Sequence, residues 1–276
     1  MALNPLTGLA VSRATALLRK LTSTSPQGSV LDFGNQRFRL TPTVLKHISK
    51  ELGCSFDIPS NEEDFTNYTP SFYRDIGYSE YTAVDMNAKM SAIPMDLNTH
   101  IPTSYRYKAQ HSLVIDNGTG EHVFDQHMVF KNQHDLCAKG GIIVNNKPFF
   151  PWINHGFYAF QPVLFRDLAY ANGYENVFTW LGGNHGEYID VTGNSDIWVE
   201  LPRANPFWRR SKSNLEKLLY DKLLEKNNIS LVVGYRKTSN DPFKIPLQGK
   251  WIHNIDDPSL KQRYEGQPDT YTEFHS

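Results

Sequence analysis

Cysteine is scarce in this chain: Cys54 and Cys137 are the only two among 276 residues. So widely spaced a pair makes neither a disulfide framework nor a paired-thiolate zinc motif, and a reducing, cytoplasmic setting is the simpler expectation. An excess of charge of one sign is also missing. Lys and Arg number 28 and Asp and Glu 29, for a net charge of −1, which removes any global attraction to nucleic acid or to an anionic membrane. No apolar run approaches the ~18 residues that a membrane helix needs. Internal repeats and low-complexity runs are lacking too. Acids are absent before Asp32, while Arg13, Arg19, Lys20 and several Ser and Thr are present. Organelle transit peptides share that composition. However, Leu6, Leu9, Ala14, Leu17 and Leu18 line one face of a helix, so a packed N-terminal helix of the mature protein is expected. A secretory signal is not expected, because Arg13 interrupts the apolar stretch.

What is present is enough to build a core. Hydrophobic residues make up 39% and aromatics 13%, which excludes a wholly disordered chain. The length suits one large domain with insertions. Short apolar runs bounded by turn residues alternate with helical patterns, the signature of an α/β sheet. Strands are expected at 29–33, 81–84, 92–95, 112–115, 141–145, 176–180, 196–200 and 230–236, and helices at 42–52, 121–136, 161–172 and 213–226. Cys137-Ala-Lys-Gly-Gly reads as a glycine stop to the second of these helices, and Asn172-Gly173 as the stop to the third. The stretch 53–70 reads as a long polar loop. The organisation is therefore an N-terminal helical extension over 1–28, a main domain over 29–237 with insertions at about 35–80 and 182–228, and a C-terminal tail over 238–276.

Several strands end in residues suited to ligand chemistry. Val30-Leu31-Asp32-Phe33-Gly34 carries a buried strand into an acid and a glycine, where open α/β sheets hold ligands and where a side chain would block close approach. Asn35-Gln36-Arg37 follow, so the glycine triplet that seats a dinucleotide pyrophosphate is missing. A nucleoside without a diphosphate has no need of it. Asp85 closes the strand 81–84 and can accept from both ribose hydroxyls. Met86 beside it can pack on an adenine face. Asp96, next to Leu97, can meet the exocyclic adenine amine. Each acid alone is as easily a turn cap. Three of them, in this order behind a glycine turn, are hard to produce by chance.

With Asp116-Asn117-Gly118 after the strand 112–115, Gly140-Gly141-Ile-Ile-Val and Leu231-Val-Val-Gly-Tyr-Arg236, these segments resemble the class I S-adenosylmethionine-dependent methyltransferases over roughly 29–236. The resemblance implies a Rossmann-like, mostly parallel seven-stranded sheet with helices on both faces and the last strand antiparallel. It implies S-adenosylmethionine as cofactor, held by Asp32, Gly34, Gln36, Asp85, Met86, Asp96, Leu97, Asn117 and Gly118. Two departures stand out. The glycine loop keeps a single glycine, with Gln36 as a substitute donor, and the connection from Gly34 to Tyr81 is about twice the usual length.

A sulfonium is already a potent methyl donor, so the protein has mainly to align donor and acceptor and to take the acceptor's proton. Six of the ten histidines lie between His111 and His185. Glu121 and His122 follow the strand 112–115, and His155 sits in the aromatic run Phe149 to Phe160. These three are the expected catalytic residues, with Trp152, Phe157 and Tyr158 as the acceptor wall. Asp116, Glu121 and His155 could supply ligands to a metal, but none is required and none is expected. His127 and His134 stand two helical turns apart, which disfavours a two-histidine site. The basic-aromatic cluster at 202–210 reads as a solvated turn. The expected activity is methylation of a small molecule or biosynthetic intermediate, at oxygen first and nitrogen next. The expected partners are that acceptor and, at most, a second copy in a homodimer, with neither nucleic acid nor membrane. A non-catalytic methyltransferase-like binding or scaffold subunit and, less favoured, a nicotinamide-dependent oxidoreductase are the rivals.

Overall fold

The computed structural model describes residues 2–22, 28–183, 185–193 and 228–269. Strand β1 (Ala2–Leu3) leads into helix α1 (Pro5–Thr22), strands β2 (Ser29–Phe33) and β3 (Arg37–Phe38), and helices α2 (Pro42–Leu52), α3 (Glu62–Thr66) and α4 (Thr69–Asp75). Next come β4 (Glu80–Asp85), β5 (Ile93–Pro94), α5 (Ile101–Ser104), β6 (His111–Asn117), α6 (Gln126–Leu136) and β7 (Cys137–Phe150). The rest is α7 (Pro162–Asn172), β8 (Glu175–Gly182), β9 (Tyr188–Asp190), β10 (Ile229–Arg236) and α8 (Pro258–Arg263).

One sheet of eight strands runs in the order β5-β4-β2-β6-β7-β10-β8-β9. Its first five strands are mutually parallel. β10 is antiparallel to both neighbours, and β9 is antiparallel to β8. This is the expected Rossmann-like α/β sheet with its last strand reversed; the edge strand β9 makes eight where seven were expected. Strands covered on both faces, whatever their direction, must read as continuous apolar runs. Leu113, Val114 and Ile115, Ile142, Ile143 and Val144, and Leu231, Val232 and Val233 are all at most 2% exposed. Alternate residues serve opposite cores. Val30, Leu113, Ile115 and Val232 pack with Leu6, Val11 and Ile48 from α1 and α2. Leu31, Val114, Ile143 and Val233 pack with Ile101, Val129 and Phe165 from α5, α6 and α7.

The N-terminal helix forms on the expected face: Leu6, Ala14 and Leu18 are buried, with Leu9 and Leu17 packed against them. α7 stops at Gly173 in the left-handed region, as its sequence predicts. Other boundaries moved for identifiable reasons. α6 begins five residues late, because the Asp125 carboxylate accepts from Met128 N and caps it there, while 120–122 forms a 3₁₀ turn. No glycine stop follows α6. Cys137 itself is extended and opens β7 directly. The stretch 53–70 contains α3, capped by the Asn61 side chain accepting from Asp64 N, with acids in its first turn.

The tail from 238 lies against α6 and α7. Lys244 N donates to Asn172 Oδ1 at 2.8 Å, and Gly249 N to Asp167 Oδ2 at 3.1 Å. The strand expected at 196–200, the helix at 213–226 and the cluster at 202–210 lie outside the described residues. Among the described residues, no helix is long and apolar enough to cross a membrane.

Candidate active site

The carboxyl ends of β2 and β4 meet at the glycine turn. Gly34 adopts φ 92°, a conformation that side chains resist, and its N–H donates to Val84 O at 2.7 Å. Asn35 N then donates to Asp85 Oδ2 at 3.2 Å, and Asn87 N and Nδ2 donate to Asp85 Oδ1 at 3.1 and 2.6 Å. The half-buried acid that ends β4 thus faces the glycine turn. A cleft of ≈ 360 Å³ lies alongside, lined by Asn35, Gln36, Thr69, Tyr81, Met90 and Ser91 among others. Met86 is 77% exposed next to Asp85.

The other expected cofactor residues fall in three settings. Asp96 Oδ1 accepts from Asn98 N and Nδ2, an Asx-type turn, and Leu97 is in the core. Gln36 and Asn117 are buried and bonded to each other: Gln36 Nε2 donates to Asn117 O at 3.1 Å and Asn117 Nδ2 to Gln36 Oε1 at 3.0 Å. Thr7, Asn146 and the Ala2 carbonyl complete that network, which ties α1 to the sheet edge. Asp32 is fully buried. Its Oδ2 accepts from Tyr81 OH at 3.1 Å, its Oδ1 has no partner, and burial holds its carboxyl pKa well above the usual range. Gly118 N donates to Asn146 O at 3.2 Å.

The ends of β6 and β7 carry a second, more densely charged group. Asp116 and Lys147 are completely buried, with Nζ 2.5 Å from Oδ2. Asp116 Oδ1 also accepts from Gly120 N at 2.9 Å, and Oδ2 from Gln133 Nε2 at 3.0 Å. Gly120 has to be glycine here: a Cβ would lie 2.5 Å from both Asp116 Oδ2 and Lys147 Nζ. Glu121 is 1% exposed, with Oε2 3.5 Å from Lys147 Nζ and Oε1 3.4 Å from His155 Nε2. His122 and His155 are exposed, their ring centroids 5.0 Å apart.

The loop after β7 reaches this group because Phe157 N donates to Glu121 O at 2.9 Å and Tyr158 OH to Phe124 O at 2.9 Å. Trp152 lies against His155 at 4.6 Å between centroids and donates through Nε1 to Ile229 O. Phe124, Ile153 and Phe157 stay exposed around it. The Thr119 hydroxyl donates to Phe33 O and links this loop to the glycine turn.

The three residues expected to be catalytic, Glu121, His122 and His155, therefore stand together, bordered by Trp152, Phe157 and Tyr158. Asp85 and Gly34 meet on the neighbouring strands, and Asp32, Gln36 and Asn117 are taken up inside the chain. Sequence reasoning missed Lys147 and Gln133. A lysine at a strand end is normally solvated, and nothing local marks this one as an ion-pair partner.

No family model matches the chain, and no curated protein does either. Among solved structures, the plantazolicin methyltransferase in complex with SAH is 12% identical, over 84% of this chain and 85% of that one, at a TM-score of 0.38. The geranyl diphosphate C-methyltransferase of Streptomyces coelicolor is 14% identical, over 84% and 77%, at 0.37. A putative methyltransferase of Bacillus halodurans is 11% identical, over 82% and 99%, at 0.36. Likenesses this distant decide nothing about reaction or ligand.

Proposed function

We propose that this protein is a class I methyltransferase that uses S-adenosylmethionine to methylate a small-molecule acceptor, at oxygen in preference to nitrogen. The observation that carries the reading is the pairing, on one sheet edge, of a glycine turn faced by a strand-end carboxylate with a Glu–His–His group one loop away. When bound, S-adenosylmethionine supplies an electrophilic methyl group on a sulfonium cation.

The residues present fit such a ligand in part. Gly34 leaves the backbone open to close approach, and the cleft beside it has room for part of a nucleoside. Asp85 can accept from ribose hydroxyls once the exposed Asn87 amide turns away, since a carboxylate offers about four acceptor sites. Met86 would cover the base, and Asp96 would stand near its amine. No glycine triplet is present to seat a diphosphate, which disfavours a nicotinamide dinucleotide. On the acceptor side, Trp152, Phe157 and Tyr158 form an apolar wall, and Glu121 with His155 or His122 takes the acceptor's proton. Calorimetric titration of the full chain with S-adenosylhomocysteine and with NADH tests the proposal. Saturable binding of the former alone is expected; binding of NADH alone would overturn it.

A second reading, a non-catalytic methyltransferase-like binding subunit, is favoured by the internal pairing of Gln36 with Asn117, two amides that a cofactor would otherwise use. Cofactor binding without turnover on a broad metabolite panel, together with co-purification of a stable partner, would select it.

A further inference from the structure

We infer that Glu121, His122 and His155 form a binding site for a divalent transition-metal cation, open to an acceptor oxygen. One ligand atom from each of the three lies within 4.8 Å of the other two. The 3.4 Å between Glu121 Oε1 and His155 Nε2 is long for a hydrogen bond. It matches the edge of a tetrahedron whose centre lies about 2.0–2.1 Å from each donor, the bond length of zinc to imidazole and carboxylate. Two imidazoles and one carboxylate are also a donor set that leaves catalytic metals an open position.

Charge inside the site asks for a cation at the same point. Asp116 and Lys147 neutralise each other at 2.5 Å with no exposure. Glu121, 1% exposed, then has Lys147 only at 3.5 Å. A buried carboxylate needs a counter-charge, and its outer oxygen turns towards the two imidazoles. The two histidines are the exposed members, so a metal would be gripped from below by Glu121 and reached by acceptor from solvent. Behind Glu121, Lys147 stands 3.5 Å from its inner oxygen and is itself held by Asp116, which Gln133 also bonds. The apolar rim of Trp152, Ile153 and Phe157 suits an acceptor with an apolar body and one hydroxyl, carboxylate or phosphate oxygen to offer the cation. The inference rests on the proposed function only for that acceptor role, and the donor set stands without it; with a cation held there, the three side chains would serve as its ligands rather than as the base, and the cation would lower the acceptor's pKa in their place.

The alternative is a plain Glu121–His155 contact, which makes no use of His122. Titration of the metal-stripped full chain with Co²⁺, followed by its visible d–d absorption, separates the two. One equivalent should bind with a band typical of four or five coordination. His122→Ala and His155→Ala should each weaken binding by at least about 100-fold, more than the 10–100-fold that loss of a supporting residue costs. His127→Ala, at an exposed histidine outside the cluster, should leave it unchanged. Both tested histidines are exposed, and near-wild-type melting of each variant shows that the fold is kept. Absence of a d–d band, or His122→Ala binding as tightly as wild type, would overturn the inference. Parallel titration with S-adenosylhomocysteine keeps the two claims apart: loss of Co²⁺ binding with nucleoside binding intact removes the metal alone, and the converse removes the methyl-transfer reading alone.

Discussion

Replacing Lys147 with Met is the sharpest test of how the acidic centre is held. The ammonium is completely buried against Asp116 at 2.5 Å, reaches Glu121 at 3.5 Å and lies 5.5 Å from the Phe160 ring centroid. Met keeps most of the volume and removes the charge. Asp116 and Glu121 then remain buried without the ammonium that faces them both. Removing one partner from a buried pair costs about 3–5 kcal/mol, because the other charge is left uncompensated. At roughly 2–4 °C per kcal/mol for a domain of this size class, the melting temperature should fall by at least about 6 °C. Urea unfolding at neutral pH, followed by tryptophan fluorescence, reads the loss directly. Adding Asp116→Asn to Lys147→Met should restore more than about 1 kcal/mol, since it removes a charge that the first substitution orphaned. A loss under about 1 kcal/mol, or a further additive loss in the double variant, would refute the buried-pair account.

Three other outcomes follow from the same geometry. Gly120→Ala should destabilise the protein by about 1–3 kcal/mol, since its Cβ would press on Asp116 and Lys147, and denaturant midpoints check it. Asp85→Ala should weaken S-adenosylhomocysteine binding by about 1–3 kcal/mol with the fold intact, and unchanged affinity would contradict the ribose role. His111 is buried between Ser29 Oγ at 2.9 Å and Tyr107 OH at 2.8 Å, and burial pulls its pKa down to about 4. Between its unfolded value of about 6.5 and about 4 the unfolded chain binds more protons, so stability drops by up to roughly 3 kcal/mol as pH falls through that window. His111→Gln should flatten this slope, leaving the share of His134, lowered mainly by its own burial; an unaltered slope contradicts it.

The sheet was legible because its strands are buried on both faces and so declare themselves as runs such as Leu113-Val-Ile115. The Glu121–His122–His155 group was legible for a different reason: Glu121-His122 and His155 each follow a strand end, and in this topology strand ends converge. The short strands β1, β3 and β9 went unseen because two or three residues carry little pattern, whereas β5, equally short, was expected at 92–95. The fates of Gln36 and Asn117 were hidden because their amides could bond a ligand or each other, and only tertiary placement decides. Lys147 was hidden because burial of an ammonium depends on partners distant in sequence, Asp116 and Glu121. The start of α6 slipped because the apolar spacing of Val123 and Phe124 continues back past the Asp125 cap.

A crystal structure of the full chain with S-adenosylhomocysteine tests the central claim most directly. The account requires the ribose hydroxyls on the Asp85 carboxylate, the chain beyond the sugar passing over Gly34, and the sulfur turned towards Glu121 and His155. Ligand density anywhere else, or an Asp85 carboxylate still held by Asn35 and Asn87 alone with the nucleoside bound, would contradict it.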